Sequence, residues 1–281
     1  MEKREYDALK RQLKRKKKRK RKLRWFRIAV FALFLCTVSA LVFLPDSPIP
    51  NGANLPSSSQ PQIRTEELEA YAQEQGYSLD DYPQELIELY DKNPDTRDFV
   101  FQYPEKKDKD FSIDLSSCVG TESVPLLMQW DQRWGYDEYA GELFALSGCG
   151  PTCLSMVTLF LTDDPSMTPK AMGEFARENG YATDQNGTSW TLFSEGAQKL
   201  GLQSRELPLD HQQIISNLEE GNPIVCIMGP GDFTTTGHYI VMTGYQDGKI
   251  LVNDPNSYRN SEQGWDLEQI SDQIRNLWVF T

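Results

Sequence analysis

Residues 28–44, IAVFALFLCTVSALVFL, form a run of 17 residues without a charge, directly behind the most basic stretch of the chain. As a helix this run reaches about 25 Å, close to the ~30 Å hydrocarbon thickness of a bilayer. Trp25 and Phe26 extend it as an interfacial anchor, Arg27 can snorkel, and Pro45 stops it. A buried core helix would carry a polar stripe, and here only Cys36, Thr37 and Ser39 are available. The sequence therefore predicts a transmembrane helix over 28–44. A cleaved signal peptide is the nearest rival, since Val38-Ser39-Ala40 faintly resembles a cleavage site. The 27-residue head is long for that role, however, and apolar residues continue past Ala40. An uncleaved signal anchor fits better.

Charge sets the expected orientation. Residues 1–27 carry 15 Lys/Arg against 3 Asp/Glu, whereas the remainder carries 14 against 38. A basic head of this kind stays cytoplasmic and leaves the acidic part outside, giving a single-pass protein of the cell membrane with its C-terminal domain extracytoplasmic. The run KRKKKRKRK, residues 14–22, sits beside the span. It is expected to meet anionic lipid headgroups, at about 1 kcal/mol per basic residue, rather than nucleic acid.

Composition changes along the rest of the chain. Residues 45–63 are rich in Pro, Ser, Asn and Gln and almost uncharged, the character of an extended linker. Residues 64–120 form an acidic, partly helical arm, with a helix start at Ser78-Leu79-Asp80-Asp81 and an apolar stripe of Leu86, Leu89 and Tyr90. The arm is read as docking on the main domain, with a solvated stalk as the alternative. From residue 121 to 281 the texture is that of a globular domain. Residues 150–160 read as a buried helix, and Thr168 and Pro169 open a second one ending near Gly180. A third is expected from Ser189 to Leu200, and Asp210 caps a fourth. The strand-like runs 223–228, 238–245 and 249–255 follow, the last two joined by a turn at Gln246-Asp247-Gly248. Helices first and antiparallel strands afterwards argue for an α+β domain.

The chemistry narrows to a few residues. Five cysteines are too sparse and odd a set for a disulfide scaffold, and two histidines exclude a His-rich metal site. The acidic pairs lack the spacing of an ion-binding loop, so no metal and no cofactor are expected. Cys149 lies in Ser147-Gly148-Cys149-Gly150-Pro151-Thr152 at a helix N-terminus, where unpaired N–H groups and the dipole favour thiolate. The flanking glycines would let a substrate backbone approach. Taken alone, a buried structural cysteine reads equally well. A thiolate nucleophile needs a base, and His238 enters an apolar strand, whereas His211 sits at an ordinary helix start. Asp254 follows the partner strand, at the same end of the hairpin as His238, so spacing brings imidazole and carboxylate within reach. Gln129, twenty residues before Cys149, is a candidate oxyanion donor together with the Cys149 N–H. Cys153 and Cys226 read as core, and Cys118 is undecided. Gly187–Trp190 and Gly229–Gly237 read either as cleft walls or as turns.

The order Gln–Cys–His–Asp resembles that of papain-fold cysteine peptidases. Its motifs, VPLLMQWDQRWG, SGCGPTCLSMV, TTGHYIVMTGY and ILVNDPNS, are similar to those of the bacterial family related to bacteriocin-leader-processing, double-glycine peptidases. They span about residues 124–257. The resemblance implies a papain-like fold, with a nucleophile helix packed on an antiparallel sheet. It also implies Cys149 as nucleophile, His238 as base, Asp254 as orienter and Gln129 as oxyanion donor, acting on a peptide or protein substrate. The chain departs from leader-processing enzymes in having a single span and no nucleotide-binding cassette, so double-glycine specificity is not carried over. Two other readings use the same residues: a cell-wall peptide amidase or acyltransferase, and a catalytically silent surface binding module.

Overall fold

The computed structural model describes residues 60–183 and 187–281. The head 1–27, the expected span 28–44 and most of the linker lie outside them. Among the described residues no helix is long and apolar enough to cross a membrane. The first helix, α1 (Gln60–Gln75), begins inside the stretch read as linker. Pro61 looked like a linker residue, but a proline fits the first turn of a helix, where its missing N–H is not needed.

Two further helices follow, α2 (Gln84–Lys92) and α3 (Arg97–Phe101). Leu86, Ile87 and Tyr90 form the buried face of α2, while Leu89 is only half-buried. They pack with Leu68 and Ala72 of α1 and with Phe99, Val100 and Phe101 of α3. This cluster also contains Met128, Trp130, Tyr136 and Ala145, so the arm is docked and shares its apolar core with the main domain. Phe99 stacks on Tyr136 with ring centroids 4.4 Å apart, and the Tyr136 hydroxyl donates to the Phe99 carbonyl at 2.8 Å. Fully burying one such side chain is worth about 1.5–3 kcal/mol.

The centre of the domain is a five-stranded antiparallel sheet. Its strands are β1 (Ser204–Glu206), β2 (Ile224–Met228), β3 (His238–Gln246), β4 (Lys249–Asn253) and β5 (Ile274–Phe280), in spatial order β1-β5-β2-β3-β4. Side chains alternate between its faces. Val225, Ile227, Tyr239, Val241, Trp278 and Phe280 face the helix α4 (Cys149–Thr162), through Cys153, Leu154, Met156 and Val157. Ile224, Cys226, Met228, Ile240, Met242 and Val279 face the opposite way, towards Ile214 and Leu218 of another helix. Covered on both sides, β2 is buried at all five positions, which is why its sequence reads as an unbroken apolar run.

Helix α5 (Pro169–Glu178) opens as expected, with the Thr168 hydroxyl accepting from the Ala171 N–H at 3.1 Å. Helix α6 (His211–Glu219) is capped by Asp210, whose carboxylate accepts from the Gln213 N–H at 2.9 Å. The helix expected over 189–200 is broken. A 3-10 turn, Trp190–Phe193, gives way to the short helix Glu195–Lys199 at Ser194 (φ −109°, ψ −79°). The break turns Leu192 and Phe193 fully inward and lets Trp190 pack edge-on against Trp278. Tertiary packing overrides local propensity there.

The β3–β4 hairpin turns on Asp247 (φ 52°) and Gly248 (φ 78°), both left-handed, as a two-residue hairpin turn requires. Gln246 pairs with Lys249, and regular pairing continues to Gly244 and Leu251. The register then shifts, because β3 holds one extra residue between Met242 and Gly244. This bulge governs where the site residues meet.

Candidate active site

Cys149 is the first residue of α4, held there by Gly148, whose N–H donates to the Phe144 carbonyl at 2.7 Å. The residue as a whole is half-buried. Burial pushes the thiol pKa up. The hydrogen bond and charge of His238, with the Tyr239 and Gly150 N–H groups, outweigh that effect and hold the thiol below its ordinary value. The flanking glycines do a different job from the one expected. A Cβ on Gly148 would lie 2.3 Å from the Phe144 ring, and one on Gly150 would lie 2.5 Å from the Thr188 hydroxyl. Both spaces are filled by the protein itself, so the glycines permit close internal packing around the sulfur rather than substrate approach. Thr188 is fixed in turn, its hydroxyl 2.8 Å from the Tyr139 hydroxyl and its carbonyl accepting from the Tyr239 hydroxyl at 3.1 Å.

His238 opens β3 opposite Met228 and is 7% exposed. Its Nε2 lies 2.7 Å from Asp254 Oδ1, and its side chain also hydrogen-bonds the Cys149 thiol. Counted straight back from the turn, Asp254 would stand opposite Val241 and point to the other side of the sheet from His238. The bulge brings it opposite Ile240 instead, two positions along from His238 on the same side of the strand. The contact is therefore diagonal rather than directly across the ladder.

Asp254 is 1% exposed, and its carboxylate is fully engaged. Oδ1 also accepts the Asn256 N–H at 2.8 Å, and Oδ2 accepts Asn260 Nδ2 at 2.7 Å. Burial pushes the carboxyl pKa up, but the charge and hydrogen bond of His238, with Asn260 and Asn256, bring it below the ordinary value. For His238, burial favours the neutral ring, but the Asp254 charge and hydrogen bond, reinforced by Cys149, raise its pKa well above the ordinary imidazole value. All three shifts favour the charged forms: thiolate, imidazolium and carboxylate.

Gln129, 3% exposed, is tied to the same loop, its N–H donating to the Pro255 carbonyl at 2.8 Å. Its side chain reaches the segment leading into α4, where Nε2 donates to the Ala145 carbonyl at 2.6 Å. That bond uses one amide hydrogen and leaves the second free to donate. His211 lies elsewhere, exposed, with Nε2 2.8 Å from the Ser271 hydroxyl. Cys153 and Cys226 are buried in the core, where burial raises both thiol pKa values. Among the described residues no group of three His, Cys, Asp or Glu side chains could hold a metal ion.

Sequence reading missed the supports: Asn260 and Ser261, the latter's hydroxyl accepting the Asp254 N–H at 2.9 Å, and the hydrogen-bonded Thr188–Tyr139–Tyr239 group beside Gly150. Asn260 and Ser261 belong to the one-turn helix Tyr258–Glu262, capped by Ser257. A serine followed three residues later by an amide side chain was the signal available for that turn.

With this geometry in place, relatives can be compared. Residues 121–279, more than half of the chain, match the Peptidase_C39 like family. The chain belongs to that family. The α+β fold around Cys149 and His238 is thus that of a Peptidase_C39 like domain. Among solved structures, the peptidase domain of Streptococcus ComA, a bi-functional ABC transporter involved in a quorum-sensing pathway, matches at 19% identity with a TM-score of 0.40. That match covers 56% of this chain and 96% of the other. A putative C39-like peptidase from Bacillus anthracis matches at 18% identity with a TM-score of 0.33, covering 61% and 98%. No curated protein matches the chain.

Proposed function

We propose that this chain is a membrane-anchored, extracytoplasmic cysteine peptidase of papain-like type, with Cys149 as nucleophile, His238 as acid and base, Asp254 as the group that orients it, and Gln129 as oxyanion donor. The observation that carries the reading is the 2.7 Å contact of His238 Nε2 with buried Asp254, in a side chain that also hydrogen-bonds the thiol at the start of a 14-residue helix. The thiolate attacks the carbonyl carbon of a peptide bond, and the negative oxygen that develops is held by the Cys149 N–H and Gln129 Nε2. The imidazolium gives its proton to the leaving amine, whose bond to the acyl carbon breaks. Water then attacks the thioester, losing its proton to His238 as the acid departs and thiolate is regenerated. The anchor rests on the uncharged run 28–44 and the basic head 1–27, with the head cytoplasmic.

The test is labelling by a peptide carrying a thiol-directed electrophile, located by mass spectrometry. Cys149 should be modified in the intact chain and spared in His238→Ala. Equal labelling of Cys149 and Cys153 in both proteins would overturn the assignment, and protease protection of the C-terminal part in intact cells would overturn the topology.

A further inference from the structure

One contact joins the N-terminal helices to the catalytic loop, and it comes from outside the span that matches the family. Asn93, just past the end of α2, donates through Nδ2 to the carbonyl of Asn256. That carbonyl also accepts Trp130 Nε1 at 3.1 Å. The N–H of the same Asn256 donates to Asp254 Oδ1, the oxygen that holds His238. Between them, the Pro255 carbonyl accepts the Gln129 N–H. Three residues in a row, Asp254 to Asn256, are therefore gripped from both sides, and the arm supplies one of the grips.

Asn93 is itself well fixed. Its Oδ1 caps the turn Pro94–Thr96 by accepting the Asp95 N–H at 3.2 Å. Its carbonyl accepts the hydroxyl of fully buried Thr96 at 2.7 Å. Helix α2, which precedes it, is seated in the apolar cluster through Leu86 and Tyr90. The donor thus reaches Asn256 from a rigid body and not from a loose side chain.

We propose that Asn93 is a positioning residue for the Asp254–His238 pair, which makes the docked N-terminal helices a working part of the active centre rather than a spacer. The inference rests on the site reading given under Proposed function. An orienting carboxylate acts only while its own geometry is held by outer hydrogen bonds. Without the Asn93 donor, the 254–256 segment gains play, Asp254 stabilises the imidazolium less, and the thiolate loses its counter-ion.

The experiment compares Asn93→Ser with Tyr82→Phe in the full-length chain. Serine keeps a cap for the Pro94–Thr96 turn but cannot reach Asn256. Tyr82→Phe removes the 3.0 Å hydrogen bond to the Phe101 carbonyl in the same cluster and leaves Asn256 untouched. Each protein is titrated for the rate of Cys149 alkylation by iodoacetamide against pH, read at that residue by mass spectrometry, and melted separately. In Asn93→Ser the acid limb should move up by about half a pH unit, a threefold loss of rate at its foot. Tyr82→Phe should lower Tm and leave the limb in place. An unmoved limb in Asn93→Ser, or an equal shift in both variants, overturns the positioning role while the site reading stands. A limb at the ordinary thiol value of about 8.5 in the unmodified chain overturns the site reading, and this inference with it.

Discussion

Gly150→Ala is the sharpest test of how the nucleophile is seated. The added methyl would lie 2.5, 2.6 and 2.7 Å from the Thr188 Oγ1, Cβ and Cγ2 atoms, all inside the closest approach real side chains make. Thr188 has little room to move, being 6% exposed and tied through its hydroxyl to Tyr139 and through its carbonyl to Tyr239. Overpacking of this kind costs about 1–3 kcal/mol, and breaking the Thr188–Tyr139 hydrogen bond adds about 1 kcal/mol. For a folded body of this size, each kcal/mol lowers Tm by about 2–4 °C, so a fall of about 5–15 °C is expected in differential scanning calorimetry. Cys149 alkylation should slow in parallel, because the strain falls on the first turn of α4. Thr188→Gly removes every atom in the clash, so the double variant should recover most of the loss caused by Gly150→Ala on a Thr188→Gly background. A single variant that melts with the unmodified protein would refute the close-packing argument.

Three other outcomes follow from the same geometry. Because Cys149 is held below the ordinary thiol range and His238 above the ordinary imidazole range, the pair is charged throughout the interval between them. Activity against pH should reach its plateau below about 8.5 and persist above about 6.5, and kcat/KM measured across that range checks it. Asp254→Asn removes the charge beside Nε2 and sets an amide against Asn260; the acid limb of Cys149 alkylation should rise by about 1–3 pH units, as read at that residue by mass spectrometry. Leu86→Ala opens a cavity in the cluster shared by arm and domain, where Leu86 is fully buried. It should cost about 2–5 kcal/mol in denaturant unfolding.

What could be read from the sequence was what is decided locally. Thr168 with Pro169, Asp210, and the Asp247-Gly248 turn each carry their own backbone instruction within a few residues, and the elements they begin or join formed where expected. Cys149 before an apolar helix and His238 at the head of an apolar strand were legible for the same reason. The diagonal meeting of His238 with Asp254 was not, because a bulge at Thr243 leaves no mark in an apolar-polar pattern. Nor were Asn260 and Asn93, whose roles depend on contacts with residues 6 and 163 positions away in the chain. The helix expected over 189–200 breaks at Ser194, where Trp190 packs against Trp278 on a distant strand. The glycines beside Cys149 were conspicuous, yet only the folded chain reveals that Phe144 and Thr188 claim their space.

The bulge on β3 absorbs the one residue by which this strand exceeds β4 between the turn and the site. Removing Thr243 would close the ladder with Met242 still opposite Val252, so Asp254 would keep its place opposite Ile240 and its contact with His238. Substituting Thr243 would change little of this, since the paired residues on either side stay the same. The site end of the hairpin is thus insulated from the turn end, and only a ladder straightened with Thr243 retained would carry Asp254 opposite Val241 and away from the imidazole.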